Sequence, residues 1–165
     1  MNTETNSYNM MTTRHFDASI ERIWHAWSNA DHVMQWWGPV GFTSPICKMD
    51  FREGGTTLVC MRAPVEYGGQ DMYNTWHYTK IVPMERIEFT QHFSDGDGKS
   101  IDPAQLGLPA GIPAAVPHVI TFRTAGDGQT AMTVTEFGYS NADVVAISKA
   151  GMEQCLDKMA ASLAE

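Results

Sequence analysis

The segment from residue 141 to 164 constrains the fold most, because it is long and its apolar residues recur at helical spacing. At that spacing Val145, Met152, Leu156, Met159 and Leu163 form a stripe along one side of the predicted helix. Cys155 and Ala160 flank the stripe, and Lys149, Glu153, Asp157 and Lys158 take the opposite side. Methionine fills irregular space, so the pattern predicts a helix on a surface that is not uniformly packed.

The ends and the middle of this helix carry further signals. Asn141 or Asp143 is expected to cap the first turn, since a short side-chain oxygen accepts from the free amides there. Gly151 lies mid-helix, where glycine costs roughly 1 kcal/mol against alanine. We expect it to allow close approach of backbone or of a ligand. The plainer interpretation of each residue is an ordinary amphipathic helix that closes a core.

Composition excludes several function classes. The 165 residues, 43% of them hydrophobic, suit a single domain over residues 1–165 with its own core. A net charge of -8 argues against nucleic acid and anionic membranes as partners. Three widely spaced cysteines, with no signal-peptide pattern at the start and no apolar run of about 20 residues, predict a cytoplasmic protein.

The first part of the chain predicts a strand and two short helices. Residues 8–16 are rich in bulky and β-branched side chains, as in a strand. Ser19 and Asn29 are expected to cap the two helices, and Gly38-Pro39 ends the second. The most economical role of the four tryptophans in this part is core filling: Trp24, Trp27, Trp36 and Trp37.

Six further strands in antiparallel hairpins are predicted from residue 46 to 137. Turns are expected at 53–55, at 67–70, at 83–86 and at 125–129. In the last hairpin the pattern predicts that four side chains face the same core: Ile120, Phe122, Met132 and Val134. The segment 94–117 has no periodicity but keeps apolar side chains. It is interpreted as a cover over a pocket mouth or a subunit contact, with a mobile loop as the alternative.

The hairpin of residues 71–93 is specific enough for a predicted register. The turn at 83–86 places Val82 opposite Ile87. In this register the apolar, inward face carries Trp76, Tyr78 and Lys80 from the first strand and Phe89 and Phe93 from the second. His77 and His92 then oppose each other on the outer face, and a β-bulge would exchange these assignments. The element order is that of an α+β fold in which a long helix covers one face of a meandering sheet.

Several motifs resemble one family when they are taken in order. They are Arg14-His15-Phe16-Asp17-Ala18 with Ile23-Trp24-His25-Ala26-Trp27, Trp36-Trp37-Gly38-Pro39, Asp50-Phe51-Arg52-Glu53-Gly54-Gly55, Ile81-Val82-Pro83-Met84-Glu85-Arg86-Ile87 and Gly151-Met152-Glu153-Gln154 with Leu156. Together they are similar to the heat-shock ATPase activator homologue-like (AHSA-type) domain of the SRPBCC or START-like superfamily.

The resemblance implies a helix-grip fold, in which a curved antiparallel sheet grips the C-terminal helix around an apolar cavity. Superfamily members bind lipids, sterols, polyketides or plant hormones, and some are cyclases. This chain departs from the family at Trp76 and Lys80, where glycine and glutamate commonly flank the central tyrosine, and at Ser19, where proline is usual. Trp76 is bulky enough to fill much of such a cavity.

Candidate chemistry is sparse. Lys80 on the inward face would meet a ligand carboxylate or act as a nucleophile, although a stem packed inward with its charge at the rim is the plainer interpretation. The pair His77 and His92 lacks a third metal ligand. Tyr73, Tyr78 and Asp71 suit acid–base work in a cyclase-like pocket, but their spacing does not require it. We expect no cofactor and no metal.

Three functions follow, in order of preference. The first is a carrier or sensor of a small apolar molecule, the second a protein-interaction module like the chaperone activator, and the third an enzyme acting around Tyr78 and Lys80. A homodimer is compatible with the family. The predicted ligand contacts are Trp36, Trp37, Met61, Trp76, Tyr78, Lys80, Phe89, Phe93, Phe122, Met132, Met152, Leu156 and Met159.

Overall fold

A computed structural model describes residues 7–164. The sequence predicts no signal peptide at the start of the chain, and residues 1–6 of that start lie outside the described range. The elements are β1 (Tyr8–Phe16), α1 (Ile20–Ser28), α2 (Ala30–Trp36), β2 (Cys47–Lys48), β3 (Thr56–Arg62), β4 (Asp71–Val82), β5 (Arg86–Ser94), β6 (Val116–Thr124), β7 (Thr130–Tyr139) and α3 (Ala142–Leu163). Two short 3₁₀ turns lie at Val65–Tyr67 and Pro103–Leu106.

In the described part of the chain the strands form one antiparallel sheet in the order β1-β7-β6-β5-β4-β3-β2. The long helix α3 lies on one face of this sheet, with α1 and α2 beside it. The helix-grip α+β fold predicted from the sequence is therefore confirmed. The predicted strand around residue 47 is reduced to two residues that pair with β3.

The helix caps agree with the sequence. Ser19, Asn29 and Asn141 each accept a hydrogen bond from a backbone amide three residues later, and this satisfies one free donor of each first turn. For α3 this decides between the two candidate caps in favour of Asn141.

The buried face of α3 carries Met152, Cys155, Leu156, Met159 and Leu163, as its periodicity predicts. In the first turn the fully buried residue is Val144, whereas Val145 is only half-buried. The prediction that Lys158 takes the solvated side is wrong. Its ammonium donates to the carbonyl oxygens of Gly38 (2.9 Å) and Phe42 (3.1 Å), and so holds the segment after α2 against the helix.

The tryptophans form the packed half of the core. Trp24, Trp27, Trp36 and Trp37 are all at least nine-tenths buried, as predicted. Trp76 from β4 joins them, with its ring 5.1 Å from Trp37 edge-on and 5.1 Å from Phe89 in a stack. These rings belong to the same hydrophobic core as Leu156, Met159 and Leu163 of α3.

The predicted register of the β4–β5 hairpin is wrong. Val82 pairs with Arg86 rather than Ile87, and a bulge at Thr79 shifts the pairing once more, so that Tyr78 faces Phe89. The bulge adds one residue on one strand and reverses which side the following chain presents. Lys80, paired with Glu88, is consequently exposed, whereas Trp76 and Tyr78 point inward as predicted.

Candidate functional site

A cavity of about 440 Å³ lies between the sheet and the N-terminal half of α3. The helix contributes one face at helical spacing, formed by Val144, Ile147, Ser148, Gly151, Met152 and Cys155. The sheet contributes Met61, Met72, Asn74, Gln91, Phe93, Val116, Glu136 and Tyr139. The segment after α2 contributes Trp37, Gly38, Pro39 and Phe42, and the loop between β5 and β6 contributes Leu108, Pro109 and Ile112.

The loop that joins β5 to β6 is part of this wall. Leu108, Pro109 and Ile112 border the cavity, which favours the pocket-cover interpretation of the 94–117 segment. The loop is tied to the start of α3, because the Gly111 carbonyl accepts from the Ser140 amide at 3.0 Å. Gly111 has a φ of +107°, and a Cβ there would lie 2.4 Å from Asn141 Nδ2. Only glycine allows this approach without displacing the helix cap.

The predicted ligand residues divide into three groups. Trp37, Met61, Phe93 and Met152 line the cavity. A second group lies in the core outside the cavity lining, namely Trp36, Trp76, Tyr78, Phe89, Phe122, Met132, Leu156 and Met159. Lys80 is on the solvent side of the sheet, so the expectation that it faces inward is corrected by the bulge at Thr79. A ligand contact at any of these positions stays a prediction.

Trp76 does not close the cavity. It is 1% exposed and stacks on Phe89 beside the other tryptophans, outside the cavity lining. The interior is thus divided between a packed aromatic half and an open half, with Trp37 at the boundary between them.

The alternative chemistry predicted around the central tyrosine does not assemble. The Tyr78 hydroxyl is hydrogen-bonded to Thr57 Oγ1 at 2.8 Å, and burial raises its pKa. Lys80 lies on the other face of the strand. His77 pairs with Thr90 and His92 with Thr75, so the expected histidine pair is not directly opposed. Among the described residues no cluster of three or more histidine, cysteine or acidic side chains is placed to hold a metal.

A buried polar group that the sequence analysis missed forms part of the cavity wall. Glu136 is 4% exposed, and its Oε2 lies 2.9 Å from Nε2 of His118, which is 2% exposed. Its Oε1 accepts from the Ser148 hydroxyl (2.6 Å) and from the Tyr139 hydroxyl (2.5 Å). Three donors therefore satisfy one carboxylate within a mostly apolar interior.

The signal for this group was present in the sequence. In the last hairpin Phe122 and Ile120 point inward, and alternation carried two residues further also places His118 inward. The same alternation from Met132 and Val134 reaches Glu136, and the hairpin register sets His118 opposite Glu136.

The protonation of these groups is set by their burial and their partners. Burial alone would raise the pKa of Glu136, but the charge of His118 and the hydrogen bonds from His118, Ser148 and Tyr139 lower it below its ordinary value. Burial raises the pKa of the Tyr139 hydroxyl and brings that of the Cys155 thiol to about 11. The carboxylate is consequently ionised near neutral pH, whereas the hydroxyl and the thiol are neutral.

Acid is expected to destabilise the protein through Glu136. Because its folded-state pKa is depressed, the unfolded chain takes up this proton at a higher pH than the folded chain does. The free energy of unfolding therefore falls as pH drops below about 5 through the folded-state pKa. Urea unfolding of the wild type and of Glu136→Gln measures this, and the gap between the two proteins should narrow from pH 7 to pH 4. A gap of equal size at both pH values would contradict the assignment.

Two further buried polar atoms, on side chains of residues that line the cavity, lack a hydrogen-bond partner among the described residues. They are Nε1 of Trp37 and Oδ1 of Asn74, on side chains that are 8% and 1% exposed. Trp76 Nε1, beside them in the aromatic half, also has no partner in the described part of the chain. An unsatisfied buried donor or acceptor typically costs about 1–3 kcal/mol, and buried polar groups of this kind are commonly satisfied by an ordered water molecule.

The comparisons with known proteins are consistent with this architecture. The family model described as Activator of Hsp90 ATPase homolog 1-like protein matches residues 17–164. None of the curated proteins is a significant match to the chain. No helix among the described residues is both long and apolar enough to cross a membrane.

Solved structures share the fold over almost the whole chain. A protein from Chromobacterium violaceum is 25% identical, with a TM-score of 0.75 over 94% of this chain and 96% of that chain. A protein from Arthrobacter aurescens is 21% identical, with a TM-score of 0.76 over 99% and 89% of the two chains. An AHSA1 protein from Silicibacter pomeroyi is 20% identical, with a TM-score of 0.75 over 95% and 98%.

Proposed function

The chain belongs to the family of Activator of Hsp90 ATPase homolog 1-like proteins, and we propose that it binds a small, largely apolar molecule between its sheet and α3. The observation that carries this proposal is the cavity of about 440 Å³, which is within the size range of small-molecule pockets. Its wall is built from methionine, aromatic and aliphatic side chains together with a few polar groups, as is usual for such pockets.

The residues of the wall support a ligand-binding role for the cavity. Gly151 opens the helix face toward the cavity, and a Cβ added there would meet no atom within 4 Å. Met61, Met72 and Met152 contribute flexible side chains that adapt to a guest molecule. Glycine costs roughly 1 kcal/mol inside a helix, so this opening comes at the expense of stability.

The proposal is tested by filling the cavity from Gly151. In Gly151→Phe the added ring projects into the space that a ligand would take, and we expect ligand affinity to fall by at least about 100-fold, since the guest and the ring occupy the same volume. The protein is incubated with a panel of fatty alcohols, isoprenoids and aromatic molecules. Native mass spectrometry then identifies what is retained, and thermal unfolding measures the stabilisation.

Gly151→Ala is the matched control. It adds one methyl group in helical backbone with no clash, so it should retain ligand and raise the free energy of unfolding by up to about 1 kcal/mol. A ligand present at 100 times its dissociation constant should stabilise the wild type by about 2.7 kcal/mol. If no member of the panel is retained or shifts the unfolding temperature, the carrier function is wrong.

A second candidate function is an interaction with a chaperone ATPase, which the description of the family favours. Two exposed apolar side chains are available to a protein partner: Ile147, which lines the cavity, and Val40, which follows the lining residue Pro39. The test is the ATPase rate of the Hsp90 from the same organism with and without this protein. An unchanged rate together with failure to co-purify would remove this candidate.

A further inference from the structure

We infer that His25 and His32 form a surface site for a divalent transition-metal ion, with Cu²⁺ as the ion that binds most tightly. His25 lies on α1 and His32 on α2, and their Nδ1 atoms are 3.1 Å apart. The inference goes beyond the proposed function, because neither histidine lines the cavity. The sequence analysis expected no metal, since the two histidines are seven residues apart on separate predicted helices and only the fold brings their rings together.

The hydrogen bonds around His32 fix which of its ring nitrogens carries the proton. The Ser162 hydroxyl donates to the Met159 carbonyl oxygen at 2.7 Å, because a carbonyl has no proton to give. The same hydroxyl oxygen lies 2.9 Å from Nε2 of His32, so it accepts a hydrogen bond from the Nε2–H group. Neutral His32 therefore presents the lone pair of its Nδ1 to His25. Metal-binding histidines usually have this arrangement, in which one nitrogen binds the ion and the other donates to an oxygen.

The pair is also in a protonation state that suits metal binding. Burial, the charge of His25 and the charge of Arg22 lower the pKa of His32 below its ordinary value, so its ring is neutral at pH 7. The short contact is then a hydrogen bond from Nδ1–H of His25 to Nδ1 of His32. When an ion binds, His25 gives up the proton on Nδ1 and carries one on Nε2 instead, so both rings stay neutral.

The spacing of the two nitrogens suits a shared ion. With metal–nitrogen bonds of about 2.0–2.1 Å, two imidazole nitrogens lie about 2.9 Å apart at a right angle and about 3.3 Å apart at the tetrahedral angle. The observed 3.1 Å lies between these values. His25 is exposed, so its ring can rotate to direct its own lone pair at the ion. In the part of the chain that the structure describes no third histidine, cysteine or carboxylate joins the pair, so water completes the coordination shell.

The donor atoms select transition metals over alkaline-earth ions. Imidazole nitrogen suits Cu²⁺, Ni²⁺ and Zn²⁺, whereas Mg²⁺ and Ca²⁺ require oxygen ligands. The charge of Arg22, which acts on His32, is positive, so an ion held by charge alone gains no attraction from it. For a given set of nitrogen and oxygen donors, Cu²⁺ binds more tightly than Ni²⁺ or Zn²⁺.

The inference is tested by titration with CuCl₂, NiCl₂, ZnCl₂ and MgCl₂ at pH 7, with dissociation constants measured by calorimetry. We expect Cu²⁺ affinity to fall by at least about 100-fold in His25→Ala and in His32→Ala, since a lost ligand costs more than the 10–100-fold typical of an outer-shell partner. His15→Ala is the matched control, because His15 is an exposed histidine on β1, and it should bind Cu²⁺ like the wild type. Electron paramagnetic resonance of the Cu²⁺ complex should show one imidazole nitrogen fewer in His25→Ala.

The role of Ser162 as a positioning residue has a separate readout. Ser162→Ala removes the oxygen that accepts from His32 Nε2–H, and Cu²⁺ affinity should fall by about tenfold. Ser162→Thr keeps the hydroxyl and should restore the affinity. Equal affinities in the wild type and Ser162→Ala would overturn this role.

The contrary results are distinct from those for the cavity. Circular dichroism checks folding, and if the half-buried His32→Ala fails to fold, the exposed His25→Ala decides alone. If Cu²⁺ binds His25→Ala as tightly as the wild type, or Mg²⁺ binds the wild type as tightly as Cu²⁺, the inference is overturned. A wild-type dissociation constant for Cu²⁺ above about 0.1 mM also overturns it. None of these results bears on the proposed function, which is tested through Gly151→Phe.

Discussion

Replacing Glu136 with alanine is expected to lower the free energy of unfolding by about 3–5 kcal/mol, which is a large part of the stability of a typical domain. The change leaves His118, which is 2% exposed, without the carboxylate that lies 2.9 Å from its Nε2. It also removes the oxygen that accepts from the hydroxyls of Ser148 and Tyr139. Urea denaturation at pH 7, followed by circular dichroism, gives the difference in unfolding free energy.

The control for this prediction removes both partners. In Glu136→Met with His118→Leu the buried pair is replaced by apolar side chains of similar size, and most of the lost stability should return. The Tyr139 and Ser148 hydroxyls both donate to Glu136 in the wild type, and because their oxygens lie 2.9 Å apart we expect them to hydrogen-bond to each other in that variant. If the single alanine variant loses less than about 1 kcal/mol, or the double variant is as unstable as the single one, the pair is not the stabilising unit described above.

Replacing Trp76 with alanine is expected to cost about 3–5 kcal/mol and to enlarge the cavity. Trp76 is 1% exposed and stacks on Phe89 between Trp27 and Trp37. Its removal leaves a void beside Trp37, which borders the existing cavity, so the two spaces are expected to merge. The variant should therefore accept polycyclic molecules too large for the wild type, which native mass spectrometry with a size-graded aromatic series measures.

Trp76→Phe separates packing from polarity. It keeps an aromatic ring stacked on Phe89 and removes an indole N–H that has no partner among the described residues. Its stability loss should be below about 2 kcal/mol, and its ligand size limit should stay close to that of the wild type. If Trp76→Ala binds the same size range as the wild type, Trp76 does not set the boundary of the cavity.

The fold was open to prediction because its signals are local. Asn141, one of the two predicted caps of α3, and the apolar stripe from Met152 to Leu163 depend on neighbours within a few turns, and both were confirmed. The hairpin of β6 and β7 is also fixed locally by its short turn. That hairpin already contained His118 and Glu136 as an inward pair, and extending its alternation by two residues would have predicted them.

The site could be predicted only in part, because residues that line the cavity and residues that fill the core are of the same apolar types and recur at the same spacing. Met152 and Met159 lie on one helical stripe, yet Met152 borders the cavity and Met159 is packed in the core. Nothing in their spacing distinguishes them. The position of Lys80 could not be predicted either, because a single bulged residue at Thr79 places Lys80 on the other face of the sheet.

The sequence by itself determined where the helices and strands lie and which side of most of them is buried, because periodicity and capping are properties of neighbouring residues. Only the tertiary structure decided where the interior stays open. Trp76 packs against Trp37 and Phe89 in the filled half of the interior, and the 94–117 segment, bonded to Ser140 through Gly111, borders the open half. These contacts join residues far apart in the chain, and no local pattern encodes the space left between them.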